Sequence, residues 1–331
     1  MLHPGAAPFL SCATLLCCGT ALAQSGAQNP ADSYPSRPVT VVAAIAAGGG
    51  IDIEARQYLN KLTPMMGQNF LLDFKPGAAG TIGANFVAKA RPDGYTLHVV
   101  AGGFTVFPAF YKDLSFDVVR DFAPISQMSE RTSVLQVANG FPAKTFPEFV
   151  AYAKANPGKV NYGTTGAGSI THLSGAWLAD VAGIKLTFIH YKGTGPLLLE
   201  LMAGRLDVGS GILSAALPYV NAGKTRAIAM MNNKRSRQLP SLPTVEEQGV
   251  PGFNYVNWMG FLAPAATPAV IVNKLSDNLA KVARLPDIVA TLEKDGSIAV
   301  GNTPAQFRTL IVSEAARWKK IVDETGIRLD E

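Results

Sequence analysis

The sequence predicts an α/β protein of two lobes, each built on a parallel or mixed sheet, with a two-stranded hinge between them. Three observations support this. Short apolar segments rich in β-branched residues alternate with segments of helical spacing near the start of the chain. The same alternation restarts after residue 144, and the last third of the chain holds elements too few for a third domain. A chain that crosses twice between lobes has a cleft at the hinge, which is a natural ligand site.

The first lobe begins with an apolar, valine-rich segment that is typical of a buried strand. After a glycine turn, Ile51, Ala55 and Tyr58 recur at helical spacing. A β-α-β-α-β order follows, which indicates a parallel sheet with helices on its faces. The predicted elements are a strand over 38–46, a helix from 51, a strand over 69–75, a helix after the glycine turn at 75–83, and a strand over 95–102.

The second lobe repeats the alternation. Its helices end at glycine-containing stops, and Pro196 lies in the first turn of one of them, where proline is tolerated. The predicted helices lie within 145–158, 169–183, 195–205 and 215–223, and the predicted strands within 160–165, 185–193, 206–212 and 225–232.

A strand over 258–264 and helices near 268–283 and 304–324 follow a proline-rich segment, and we expect them to return to the first lobe. The chain would then cross between lobes near residues 127 and 250. The domain prediction is therefore a leader over 1–23, a first lobe of 34–126 plus 251–331, and a second lobe of 127–250.

The first 23 residues contain no Lys, Arg, Asp or Glu and end in Ala21-Leu22-Ala23, which is typical of a cleaved signal peptide. We therefore expect a periplasmic protein. All three cysteines of the chain lie in this leader. The mature protein would then lack cysteine, which excludes thiol catalysis, zinc–thiolate sites and iron–sulfur clusters.

The net charge of +5 is spread along the 331 residues, apart from a short basic run at 233–237. Such a mild excess attracts anions but is far from a nucleic-acid footprint, so no nucleic-acid partner is expected. The 48% of apolar and 16% of charged residues are typical of a globular chain with a real core.

A glycine-rich turn at 163–168 is the most informative motif. Its spacing imitates a phosphate-binding loop, but Ser169 stands where the lysine would be, and a third glycine of the dinucleotide fingerprint is missing. Backbone N–H groups that turn inward, next to a helix that begins near Ile170, still favour an anion. Ser169 would either donate its hydroxyl to that anion or only cap the helix.

The first lobe has similar turns. Gly49 and Gly50 lie between the first strand and its helix, with Asp52 at the helix start, where it either caps the helix or accepts from a ligand. Gly103 follows the third strand. In parallel sheets ligands lie beyond the carboxyl ends of strands, so these turns from two lobes would form a cage of backbone donors.

Catalytic signatures are missing. The sequence has neither H-E-x-x-H nor G-x-S-x-G, and the glycine-flanked Ser210 has the wrong spacing for a nucleophile elbow. His98, His172 and His190 are expected to be structural or to hydrogen-bond a ligand. We expect no metal, no cofactor and no enzymatic activity, although a carboxylate-processing enzyme stays the competing class.

Eight motifs in order resemble the Bug-type solute receptors of tripartite tricarboxylate transporters, from about residue 35 to 325. They are AGGGIDIEAR, KPGAAGTIGANFVAKARPDGYTL, DFAPIS, NYGTTGAGSITHLSGAWL, HYKGTGPLLLELMAGRLDV, YVNAGKTRAIA, LPSLPTVEEQGVPGF and WMGFLAPAATP. The resemblance implies the two-lobed fold of type II periplasmic binding proteins. It also implies a small carboxylate held by backbone amides, hydroxyls and water, and delivery of that ligand to a membrane permease.

Carried over by motif, the ligand-binding residues would be Gly49, Gly50, Asp52, Gly103, Phe104 and Thr105 in the first lobe and Thr164, Gly166, Ala167, Ser169 and His172 in the second. Two departures bear on the ligand. The stretch Ala44 to Ala47 replaces the usual proline-containing segment, and Ser210-Gly211 replaces a bulky-acidic pair. Both remove side-chain volume.

The lost volume predicts a bulkier ligand than usual, such as the aromatic dicarboxylate terephthalate, with Ser210 and Gly211 facing it. An aliphatic di- or tricarboxylate, or a module that presents its ligand to a membrane sensor, are the alternatives. We expect a monomer.

Overall fold

The computed structural model describes residues 1, 33–45, 47, 50–294 and 296–328. Strands and helices alternate along most of this chain, and two short 3₁₀ turns, Ala78–Gly80 and Gly102–Val106, follow strand ends. The elements in order are β1 (Val39–Ala43), α1 (Gly50–Met66), β2 (Phe70–Phe74), α2 (Thr81–Ala88), β3 (Thr96–Ala101), α3 (Phe107–Phe110), β4 (Phe122–Arg131), β5 (Ser133–Ala138), α4 (Phe146–Ala155), β6 (Val160–Thr164), α5 (Ile170–Ala182), β7 (Leu186–His190), α6 (Thr194–Met202), β8 (Val208–Ile212), α7 (Leu213–Asn221), β9 (Thr225–Met230), β10 (Asn257–Pro264), α8 (Ala269–Ala283), α9 (Pro286–Lys294), β11 (Ser297–Ala299) and α10 (Pro304–Thr325).

The first lobe contains a six-stranded mixed sheet of order β11-β4-β10-β3-β1-β2. β1 pairs in parallel with β2 and β3, in a register that places Val41 beside Leu97. β10 lies antiparallel between β3 and β4, so the predicted C-terminal strand does return to the first sheet. The carboxyl ends of β1, β2 and β3 therefore share one edge of the sheet.

The second lobe contains a five-stranded sheet of order β7-β6-β8-β5-β9. β6 pairs in parallel with β7 and β8, and β5 pairs antiparallel with β8 and β9. The turn after β6 carries the glycine-rich motif, so the motif lies at the carboxyl edge of this parallel group. Both lobes thus present strand ends of the same polarity to the space between them.

The chain passes from the first sheet to the second at Thr132, between β4 and β5. This is later than the predicted crossing near 127, because β4 runs as one strand of the first sheet to Arg131. The return crossing lies between β9 and β10. Phe253 and Tyr255 were assigned to the first lobe by sequence, but they pack in the core of the second, where Phe253 stacks on Trp177 at 4.4 Å between ring centroids.

The C-terminal helix α10 joins the cores of both lobes. Phe307 and Ile311 on its first half pack with Trp258 in the first lobe. Trp318 and Ile321 on its second half belong to the core of the second lobe, where Trp318 meets Trp177 edge to face at 6.1 Å. The lobes are therefore held together by a packed helix in addition to the two strand crossings.

Candidate functional site

A cavity of about 270 Å³ lies between the lobes, at the carboxyl ends of β1 and β3. Pockets for small ligands begin at about 300 Å³, so this one suits a compact molecule. Most of its wall comes from the first lobe, and the second lobe closes it with the start of α5. The lining residues are Ala44, Ile45, Ile51, Ala79, Gly80, His98, Val99, Val100, Ala101, Gly103, Phe104, Val106, Phe107, Phe110, Tyr111, Gly168, Ser169 and Ile170.

The first-lobe wall is apolar and aromatic. Phe104 packs edge to face against Phe107 at 5.8 Å and against Phe122 at 5.1 Å, which fixes its ring at the back of the cavity. His98 and Tyr111 supply the polar side chains of this wall. No Lys, Arg, Asp or Glu is among the described lining residues, so an anion bound here has no charged side chain as its partner.

The glycine turn before α2 forms one corner of the cavity. Ala78 and Ala79 have φ of 44° and 53°, a region that non-glycine residues seldom adopt. Gly80, at φ 102°, starts α2 and lies under Ala44, whose carbonyl would be 3.4 Å from a Cβ at that position. Strained backbone of this kind is found most often at binding sites, where it fixes the shape of a wall.

The second-lobe wall is the N-terminus of α5. Ser169 is the N-cap, and its Oγ accepts a hydrogen bond from the His172 amide at 3.3 Å. The amides of Ile170 and Thr171, the first two of the helix, have no hydrogen-bond partner among the described residues. Unpaired amides at the positive end of a helix, beside a serine hydroxyl, are a suitable site for a carboxylate.

Hydrogen bonds behind Ser169 hold this turn rigid. The Thr171 hydroxyl lies 2.9 Å from Ser169 Oγ, and its oxygen accepts from the Thr165 amide at 2.9 Å. The Gly168 amide donates to Nδ1 of His172 at 3.2 Å, and the His172 ring lies 4.6 Å from that of His190. His172 is therefore a buried support for the turn in this conformation, and its ring does not line the cavity.

Of the residues proposed from sequence, Gly103, Phe104 and Ser169 line the cavity. Thr164, Gly166 and Ala167 belong to the same strand end and turn as Ser169 but are not among the described lining residues. The Thr164 hydroxyl contacts Nδ1 of His190 at 2.7 Å, and Gly166 adopts φ 139°.

Two polar candidates of the first lobe have partners inside their own lobe. Thr105 is buried, with its hydroxyl 2.7 Å from the Gly102 carbonyl and 3.1 Å from a carboxylate oxygen of Glu314. Asp52 lies buried in the first turn of α1 and forms an ion pair with Arg56 at 2.6 Å. Gly50 is the first residue of α1, and Gly49 lies outside the described residues.

Ser210 and Gly211 lie in β8, near the middle of the second sheet, and are not among the lining residues. The side chain of Ser210 is buried on the same face of the strand as Val208, next to the Tyr162 hydroxyl in the core of this lobe. The cavity volume therefore does not come from these two positions. Ala44, the other departure, does border it. Apart from Met1, the proposed leader lies outside the described residues.

Of the aromatic wall, sequence reasoning identified only Phe104, and for His98 it left open whether the ring is structural or hydrogen-bonds the ligand. Phe107, Phe110 and Tyr111 belong to a dense aromatic run after the glycine turn at 102–103, which was a readable signal for an apolar pocket. His98 is a polar residue inside an otherwise apolar strand. The face of the sheet on which the His98 side chain lies depends on the register of β3, so the sequence does not predict its place beside the cleft.

Residues 54–327 match the family model described as the tripartite tricarboxylate transporter family receptor, TctC. The chain belongs to this family. The resemblance predicted from the eight motifs is confirmed, and so is the expectation of a solute-binding receptor rather than an enzyme. In the described part of this receptor, no helix is long and apolar enough to cross a membrane.

Three solved structures are similar to the receptor. The periplasmic binding protein BugD is 30% identical, with a TM-score of 0.69 over 90% of this chain and 100% of that one. Rpa4515 of R. palustris, solved with adipate, is 31% identical, with a TM-score of 0.73 over 90% and 100%. MatC of Rhodopseudomonas palustris, solved with malate, is 31% identical, with a TM-score of 0.70 over 87% and 100%. The predicted two-lobed fold of periplasmic binding proteins is confirmed.

Proposed function

We propose that this receptor captures a small organic carboxylate in the cavity between its lobes. The observation that carries the proposal is the start of α5, where the unpaired amides of Ile170 and Thr171 lie beside Ser169. Ser169 and Ile170 line one end of a cavity whose other described walls are mostly apolar. The carboxylate binds to these amides and to the Ser169 hydroxyl. The apolar body of the ligand packs against Phe104 and its aromatic neighbours.

The relatives support the carboxylate. Two of the similar receptors were solved with adipate and malate, which are both small dicarboxylates. The aromatic wall favours a ligand with a flat apolar body over such aliphatic acids, because aromatic pairs contribute about 0.5–1.5 kcal/mol beyond the area they bury. Within this class we favour aromatic acids, among which terephthalate is the candidate that the sequence predicted.

We further propose that the receptor works in the periplasm after removal of its leader and delivers its ligand to the permease of a tripartite tricarboxylate transporter. Membership of the receptor family supports the transporter as partner, and the apolar leader that ends in Ala21-Leu22-Ala23 supports export. Closure of the lobes over the ligand would create the surface that the permease recognises.

A thermal-shift screen over aliphatic and aromatic carboxylates tests the proposal. A ligand at about 100 times its dissociation constant adds about 2.7 kcal/mol of stability. For a chain of this size that raises the melting temperature by roughly 2–4 °C for each kcal/mol. A broad panel in which no carboxylate raises the melting temperature would refute the proposal.

Ser169→Ala separates ligand binding from helix capping. A hydrogen bond to a charged group contributes about 1.5–3 kcal/mol, so the variant should bind the best carboxylate about 10- to 100-fold more weakly by calorimetry. Thr145→Ala is the matched control, because Thr145 caps α4 in the same lobe and does not line the cavity. Both variants should lose about 1 kcal/mol of stability. Equal ligand affinities in the two would reduce Ser169 to a cap.

A further inference from the structure

His98 occupies the first-lobe wall of the cavity. It lies in β3 and is 1% exposed. Its neighbours in the strand, Leu97 and Val99, belong to a core cluster on one face of the sheet, whereas the His98 ring meets Phe104 at 6.1 Å and Phe122 at 6.3 Å on the other. An imidazole inside an aromatic cluster has few polar neighbours, so each ring nitrogen has few possible hydrogen-bond partners.

The tautomer of His98 follows from its one hydrogen bond. Nδ1 lies 2.8 Å from the carbonyl oxygen of Val42, and a carbonyl only accepts, so Nδ1 carries the hydrogen. Burial lowers the pKa of His98 to about 4, which leaves the ring neutral at neutral pH. Nε2 then bears a lone pair. No described residue donates a hydrogen bond to it, and His98 is among the residues that line the cavity.

The lone pair of Nε2 restricts which chemical group the ligand can carry at the end that lies against His98. A second carboxylate would bring negative charge against the lone pair of Nε2, and the described residues of this wall include no cation. A purely apolar end would leave a buried acceptor unsatisfied, which is unfavourable. An ammonium group would find no carboxylate among the described lining residues to balance its charge. A neutral hydroxyl avoids all three costs.

We infer that His98 selects acids that carry a neutral hydrogen-bond donor, a hydroxyl group, at the end opposite the carboxylate. This inference rests on the proposed carboxylate site at α5. It narrows the ligand class from aromatic acids in general to hydroxy acids with a flat apolar body, of which 4-hydroxybenzoate is the simplest probe. Terephthalate, with a carboxylate at both ends, is disfavoured by the same geometry.

Matched ligands provide the first test. 4-Hydroxybenzoate and 4-methylbenzoate have the same shape but differ in the donor, and terephthalate replaces the donor by a second carboxylate. Calorimetry on the unmodified protein should give 4-hydroxybenzoate an affinity about 3- to 10-fold above that of 4-methylbenzoate, which is the usual net effect of one hydrogen bond. Terephthalate should be the weakest of the three.

His98→Phe provides the second test, because it keeps the ring and removes the acceptor. The variant should bind both benzoates with equal affinity. Tyr111→Phe is the matched control, since Tyr111 is the other titratable residue of this wall, and it should keep the preference for the hydroxyl. If His98→Phe does not fold, the ring signal of Nε2 in ¹⁵N-histidine-labelled protein replaces it, and 4-hydroxybenzoate should shift this signal more than 4-methylbenzoate does.

The outcomes separate this inference from the proposed function. Equal affinity for the two benzoates in the unmodified protein, or a hydroxyl preference that Tyr111→Phe abolishes and His98→Phe retains, would overturn the role of His98 while the carboxylate site stands. Failure of every acid in the panel to bind would refute the carboxylate site itself.

Discussion

Glu314 should make the stability of this protein decrease as the pH rises. It lies on α10, is 1% exposed, and connects the helix to the first-lobe turn beside the cavity. Its Oε2 accepts from the indole Nε1 of Trp258 at 2.7 Å and lies 3.1 Å from the Thr105 hydroxyl. Burial raises the pKa of Glu314 to about 7, although the hydrogen bonds from Trp258 and Thr105 and the charge of Arg317 oppose this rise.

The magnitude follows from linkage. The folded protein binds the Glu314 proton more tightly than the unfolded chain, whose pKa is about 4.5. The contribution of the protonated form is therefore fully present below about 4.5, declines as the pH rises, and is lost above about 7. The difference between the folded and the unfolded pKa of Glu314 corresponds to about 3 kcal/mol of unfolding free energy. Glu314→Gln keeps an oxygen acceptor for Trp258 and carries no charge, so it should remove this loss.

Urea unfolding between pH 5 and pH 8 measures the effect. Glu314→Gln should be the more stable by less than about 1 kcal/mol near pH 5 and by about 3 kcal/mol near pH 8. Glu324→Gln is the matched control, because Glu324 is exposed on the same helix. Parallel curves for the unmodified protein and Glu314→Gln, or a Gln variant that is the less stable at pH 8, would refute the reasoning.

Two glycine substitutions test the packing around the site. A Cβ at Gly103 meets no atom within 4 Å, so Gly103→Leu should extend into the cavity and abolish the ligand-induced thermal shift. The free energy of unfolding should change by less than about 0.5 kcal/mol. Gly140→Leu is the control, because Gly140 has similar open space away from the cavity, and it should keep the thermal shift. A Cβ at Gly260 would lie 2.5 Å from Phe307 and 2.9 Å from the Ser126 carbonyl, so Gly260→Ala should lower the unfolding free energy by about 1–3 kcal/mol, and an unchanged urea midpoint would contradict this packing.

The fold was largely readable because each lobe repeats a strong local pattern. Strands β1 and β3 are short, mostly apolar segments, and glycine or proline marks the ends of most helices. β6 and β8 are less apolar but precede predicted helices in the same strand–turn–helix order. The hinge strands β4 and β5 were not predicted as strands. β4 contains Pro124 and buries Gln127 and Ser129, so its composition resembles a loop, and only its pairing with β10 makes it a strand.

The candidate site was readable where a backbone motif defines it and unreadable where tertiary packing does. Glycines followed by Ser169 indicate an anion site at a helix start whatever surrounds them. The roles of Thr105 and Ser210 depended on the direction of their side chains, and both turn toward the interior of their own lobes. The direction of a side chain in a strand follows from sheet register, which sequence spacing does not give.

The neutral cavity has a physical advantage for a receptor that must later release its ligand. A buried Lys or Arg would lose several kcal/mol of hydration when the lobes close and would regain it only if its pairing with the carboxylate were nearly ideal. The amides of Ile170 and Thr171 are already fixed by α5, so they bind an anion without burying a compensating charge. The Ser169 hydroxyl and the His98 acceptor then select among ligands by the direction of their hydrogen bonds rather than by charge. Affinity in such a site depends on the fit of the ligand, and none of the described lining residues carries a charge that would retain the carboxylate when the lobes open.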